Sequence, residues 1–207
     1  MTSAQMLDRV QKLLDTTVST TSFWNTDNVY QGLSDGQREV VNRVLAAFNQ
    51  KRKTTFDSSI PKALEKLIVY PTAGTSVTTN YASLPSGFLQ EIAVKYDYNG
   101  SGTYKHLNKE EIDSEFFDAN SYKSNWTYWI TNDKIYFGTS ESGSGVYQMI
   151  YFQKPTEISA SVEPILPDFT HEAIVQYATA ELLKRDERIQ EATVFFNQFL
   201  KLVEAFG

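Results

Sequence analysis

His171-Glu172 begins the pattern with which a helix grips zinc, but the residue four positions after His171 is Val175. One imidazole does not make a catalytic zinc site, so the metalloprotease reading is rejected. The only other histidine, His106, has no partner that periodicity would aim at it. Both histidines are expected to be surface or capping residues. Glu110, Glu111, Asp113, Glu115 and Asp118 crowd one short stretch, and paired carboxylates are what glycoside cleavage uses. Nothing in the pattern desolvates them, and carboxylates four apart on a short helix form a wet face. Tyr122, Trp126, Tyr128 and Trp129 could stack sugars or bases. On a strand, however, Trp126, Tyr128 and Ile130 share one face and Trp129 takes the other, so one face is expected to be core. Asn99-Gly100-Ser101-Gly102 lacks the following helix and lysine of a phosphate loop, and no nucleophile elbow or dinucleotide fingerprint occurs. No catalytic, cofactor-binding or metal-binding residue is therefore assigned.

Composition narrows the classes further. With 207 residues the chain can bury one full core, or one domain with a sizeable insertion. It holds no cysteine, which removes disulfides, thiolate catalysis and cysteine-based metal sites. A net charge of −6 argues against wrapping nucleic acid on a basic face. No run approaches the ~20 apolar residues of a membrane span, and the N-terminus lacks the pattern of a secretory signal. A cytosol-like compartment is expected until assembly. The excess of 12 Tyr, 13 Phe and 3 Trp suits β-rich domains and interfaces.

The elements follow from period and punctuation. Thr2-Ser3-Ala4-Gln5 is a capping box opening a short helix with Met6, Val10, Leu13 and Leu14 on one face. Phe23-Trp24 precede the cap at Asn25-Thr26-Asp27, and a longer helix carries Val29, Leu33, Val40, Val41, Val44, Ala47 and Phe48. Its basic finish, Lys51-Arg52-Lys53, complements the helix dipole. From 60 to 164 the pattern alternates. Strands are expected at Leu67-Ile68-Val69-Tyr70, over 88–94, at Trp126-Thr127-Tyr128-Trp129-Ile130, at Lys134-Ile135-Tyr136-Phe137 and over 146–152, with a hairpin turn at Asn132-Asp133 and one helix over 108–119. The expected fold is α+β: a helical bundle formed by N-terminal (1–59) and C-terminal (165–207) parts, with a mainly β insertion (60–164).

The C-terminal part is the most informative. Pro167 and Asp168 open a helix, Lys184-Arg185-Asp186 interrupts it, and a last helix runs to Phe206. Its apolar positions cover about 180° of surface, against the roughly 100° stripe that one buried face needs. One stripe (Ile189, Ala192, Phe196, Leu200, Val203) can serve the core. The other (Phe195, Phe199, Leu202, Phe206) is either buried in the same monomer or available to a partner; the partner role is adopted, with those four residues as interface anchors.

Read in order, the pieces resemble head-to-tail adaptor (connector, or head-completion) proteins of tailed bacteriophages. They are the first helix ending Leu13-Leu14-Asp15, Phe23-Trp24 before Thr26-Asp27, and Gln37-Arg38-Glu39 in the long helix. Leu84-Pro85-Ser86-Gly87-Phe88-Leu89 then enters a strand, Tyr151-Phe152-Gln153-Lys154-Pro155 closes one, and Leu166-Pro167 leads to His171 and Tyr177-Ala178. The resemblance implies a non-enzymatic virion protein of the neck, a ring of identical subunits, twelve in number. The ring would bind the portal protein, present a platform to tail or neck proteins, and let genomic DNA pass without sequence-specific binding. No membrane and no cofactor are implied. The alternatives are a tail or baseplate component, or a cell-wall (peptidoglycan) hydrolase carried in the virion and acting through Glu111 or Glu115.

Overall fold

The computed structural model describes residues 1–14, 24–54, 59–77, 80–98, 100–109, 126–138 and 145–206. The chain is α+β and divides into a helical unit, Met1–Leu67 with Lys154–Gly207, and a β unit, Ile68–Gln153.

The helical unit is organised around α3 (His171–Arg185), whose side chains are buried on nearly every side, from His171 and Ala173 to Leu182 and Leu183. The helix is enclosed on most of its surface because α1 (Ser3–Leu14), α2 (Thr26–Thr54) and α4 (Ile189–Glu204) all pack on it. The capping box of α1 forms as written: Gln5 N–H donates to Thr2 Oγ1 at 3.2 Å and Thr2 N–H to Gln5 Oε1 at 2.8 Å. Asn25 caps α2 through a 2.7 Å bond from Asn28 N–H. Val29, Leu33, Val40, Val41, Val44 and Phe48 are all buried.

Two glycines one turn apart let α2 come close to α3. A Cβ on Gly32 would meet Ala178 Cβ at 3.5 Å, while one on Gly36 would lie 2.8 Å from the Ile174 carbonyl oxygen. The crossing is thus tightest at Gly36, where the facing atom is backbone and cannot rotate away.

The insertion is shorter than 60–164. Residues 60–67 and 154–164 belong to the helical unit, and the reason is packing plus hydrogen bonding. A 3-10 turn, Lys62–Leu67, buries Ala63, Leu64 and Leu67. The returning segment is clamped by side chains of α2. Buried Gln37 donates to the Thr156 carbonyl at 2.7 Å and accepts from Ile165 N–H at 3.0 Å. Ser34 Oγ accepts from Ile158 N–H at 2.9 Å. A second 3-10 turn, Asp168–Thr170, leads directly into α3.

Among the described residues the β unit forms two sheets. One orders β1 (Ile68–Val69), β9 (Gly145–Gln153), β4 (Phe88–Asp97) and β5 (Lys105–His106), with β2 (Thr75–Val77) also paired to β9. The other orders β3 (Tyr81–Ser83), β8 (Lys134–Gly138), β7 (Thr127–Thr131) and β6 (Asn108–Lys109). The β7–β8 hairpin turns through Asn132 at φ 50° and Asp133 at φ 57°. Both values lie in the left-handed region that a two-residue turn of this hand requires. Asn108 was expected to start a helix; it is instead in a strand parallel to β7, opposite Thr127. The rest of the stretch 108–119, from residue 110 on, lies outside the described residues. The unit's core joins both sheets through Val94, Tyr96, Leu107, Tyr128, Ile135, Phe137, Tyr147 and Met149.

Candidate functional site

The C-terminal helix α4 begins after a sharp stop. Glu187 takes φ +60° at the end of α3, and the Arg188 guanidinium then grips Glu191 through bonds of 2.8 and 2.6 Å. That turn sends α4 back along α3. At about 100° per residue, Phe199 lies near the middle of the apolar arc and is fully buried, with Ala192 and Val203 buried beside it. Phe195, Leu202 and Phe206 fall on one side of this midline and are half-buried. Phe196 and Leu200 fall on the other and are half-buried too. Ile189 and Val194 are exposed, at 55% and 54%.

This arrangement corrects the division into a core stripe and a partner stripe. The boundary drawn between them is the line along which α4 rests on α3, so each stripe has one buried edge and one open edge. Phe199 is core and not a free anchor. Its ring meets Tyr177 edge-on at 5.1 Å and Phe196 at 5.8 Å, and the Arg43 guanidinium lies 5.5 Å from its centroid. Arg43 is itself fixed by a 2.7 Å bond to Glu39. Ile189, placed in the core stripe by spacing, stands open because it is the first residue of the helix, where α3 is turning away.

The open edge on the other side is apolar. Phe206 packs edge-on against Phe169 at 5.5 Å, and Phe169 is itself 51% exposed. Phe195, Leu202, Phe206 and Phe169 therefore form a patch on the helical unit. The helix that carries most of it has only Glu191, Lys201 and Glu204 as charges. Depletion of charge with enrichment of aromatic rings is the composition of interface cores. Phe169 was not foreseen, since nothing in its spacing ties it to a residue 37 positions later.

The other sequence candidates resolve differently. His171 is buried at the start of α3, not at the surface, while His106 is exposed on β5. Among the described residues no group of His, Cys, Asp and Glu could hold a metal ion, and no helix is long and apolar enough to cross a membrane. Glu110, Glu111, Asp113, Glu115, Asp118 and Tyr122 lie outside the described residues. The Gly-rich turn folds onto its own strand: Gly102 N–H donates to buried Asp97 at 2.6 Å, placing a carboxylate where a phosphate would have to sit.

The aromatic strand splits as its alternation demands. Tyr128 enters the core with Trp126 and Ile130 packed beside it. On the opposite face Trp129, Tyr136 and Tyr81 form a cross-strand ladder. Trp129 stacks on Tyr136 at 5.5 Å with planes 5° apart, Tyr136 meets Tyr81 at 5.5 Å, and the Lys134 ammonium sits 4.3 Å from the Tyr81 centroid. These rings engage one another and so stabilise the sheet directly.

The family described as SU10 adaptor protein matches residues 1–206. The chain belongs to the SU10 adaptor protein family. No curated protein matches the chain. As an SU10 adaptor it is a structural protein of a bacteriophage, a virion component whose role is to contact other head or tail proteins. For such an adaptor a partly open aromatic helix edge is a more pertinent feature than any cluster of titratable groups.

Proposed function

We propose that this SU10 adaptor docks as a ring on the portal protein after DNA packaging, surrounds the DNA channel and presents the platform to which tail or neck proteins attach. The family match over residues 1–206 is the observation that carries this reading. Twelve subunits form the ring, in the neck of the virion, after synthesis in the host cytoplasm. A closed ring needs two different complementary surfaces on every subunit. The edge formed by Phe195, Leu202 and Phe206, extended by Phe169, serves as one apolar contact. The net charge of −6 suits a passage through which DNA slides, because phosphates are repelled and not trapped.

The test mixes the protein with the portal ring encoded in the same genome and measures mass and negative-stain images. The expected result is a stable complex with a new ring stacked on one end of the portal. Intact portal and intact free protein with no complex would overturn the reading and point to a component farther down the tail. A Phe195→Ala, Phe206→Ala double variant, checked for native circular dichroism, should bind at least about tenfold more weakly, as loss of interface rings does. A folded double variant that binds normally would refute these anchors while leaving the adaptor role intact.

A further inference from the structure

We propose that residues 155–166 and α1 form one releasable flap: the segment that returns from the β unit and the first helix detach together and leave α2, α3 and α4 packed. The inference concerns the helical unit alone and goes beyond the adaptor reading.

The returning segment is irregular. Its buried apolar side chains are Ile158 and Leu166 alone, and the bridge between Ser159 and Val162 closes a loop within the segment itself. Side chains of α2 fasten it. The carboxamide of Gln37, fully buried, holds both arms of that loop, donating to the Thr156 carbonyl at 2.7 Å and accepting from Ile165 N–H at 3.0 Å. Ser34 Oγ accepts from Ile158 N–H and donates to the Tyr30 carbonyl, each at 2.9 Å. At the far end the Leu166 carbonyl oxygen lies 2.9 Å from His171 Nε2, which keeps that end with α3.

The same segment caps α1. Glu163 accepts from Ser3 N–H at 2.5 Å, one of the first-turn donors that a helix cannot satisfy internally, and Ser3 Oγ lies 3.5 Å from its other carboxylate oxygen. α1 has 12 residues, and helices this short are marginal in water by themselves. Beyond the cap it rests on buried Met6, Val10 and Leu14 and on an exposed 3.4 Å pair between Arg9 and Glu172.

Each piece therefore depends on the other. Ordering residues 155–166 costs backbone entropy at every position, and two buried apolar side chains do not offset it. Removing α1 takes Ser3 from Glu163, and removing the segment uncaps α1. The remaining helices carry no such dependence. α2 meets α3 at Gly32 and Gly36, and α4 rests on α3 through the contact of Phe199 with Tyr177. The flap thus opens at a lower free energy than the three helices beneath it.

The test is native-state amide hydrogen exchange of the whole protein, followed residue by residue. Ile158, Ile165, Met6 and Val10 should share one protection factor, below that of amides in the middle of α3. Glu163→Ala removes only the cap, yet Ile158, whose own acceptor on Ser34 is untouched, should lose protection by the same factor as Met6 and Val10, about 2- to 30-fold. Gln37→Leu should lower Ile158, Met6 and Val10 together by at least about fivefold. Where that variant does not fold, Ser34→Ala, read at Ile165, Met6 and Val10, should do the same. Phe199→Leu should lower protection in α3 and leave the flap unchanged, because Phe199 stays packed when the flap opens. Loss confined to α1 in Glu163→Ala, loss confined to the segment in Gln37→Leu or Ser34→Ala, one protection factor shared with α3 in the native protein, or a flap loosened by Phe199→Leu would each overturn the proposal.

Discussion

Replacing each of the two glycines of α2 by alanine tests how closely α2 lies against α3. Both residues are interior to a 29-residue helix, so alanine gains about 1 kcal/mol of helix propensity at either position. At Gly32 the new methyl meets Ala178 Cβ at 3.5 Å, ordinary contact, and the gain is kept. At Gly36 it would sit 2.8 Å from the Ile174 carbonyl oxygen and 3.3 Å from Ile174 Cγ2. Either α2 must move outward or Ile174 must shift with its backbone, an overpacking cost of about 1–3 kcal/mol. Gly32→Ala should therefore stabilise the protein by up to about 1 kcal/mol and Gly36→Ala destabilise it by about 1 kcal/mol, a separation of roughly 2 kcal/mol. Urea unfolding followed by circular dichroism at 222 nm reads this directly, and the midpoints on heating should differ by about 4–8 °C. Equal stability of the two variants, or a Gly36→Ala protein more stable than the native one, would refute the close crossing.

Phe199→Ala should cost about 3–5 kcal/mol, because it removes a fully buried ring and leaves Tyr177, Phe196 and Arg43 around a void; a loss below about 1 kcal/mol in chemical denaturation would show that the site collapses or is open. Glu187→Gly should stabilise by roughly 1 kcal/mol, since Glu187 holds φ +60° where glycine pays no steric penalty, and unchanged thermal melting would speak against that conformation in solution.

The helices and the larger strands were legible because period and caps acted together. Thr2 with Gln5, Asn25 before α2 and the pair Asn132-Asp133 each specify local geometry through their own side chains or φ values. What was not legible depends on atoms distant in sequence. Gln37 reads as one more polar residue on a helix, yet it holds Thr156 and Ile165 and so draws the returning segment into the helical unit. β6 lies parallel to β7 with two paired residues, too few for any alternation to register. The two glycines of α2 stand four positions apart in the sequence, but only the facing backbone of Ile174 gives that spacing meaning. In α4 the width of the apolar arc was legible, while the position of its midline required knowing where α3 lies. Spacing found the helix that bears the candidate site and could not divide its faces.

The chain leaves the helical unit at Leu67 and re-enters it at Lys154, and just beyond those points Ile68 is the direct antiparallel partner of Phe152. Paired residues of this kind stand about 5 Å apart, so the segment from Ile68 to Gln153 occupies no more of the helical unit's chain path than a tight turn would. The β unit is thereby a cassette. Its strands can be lengthened, trimmed or replaced without asking α1, α2, α3 and α4 to find a new packing.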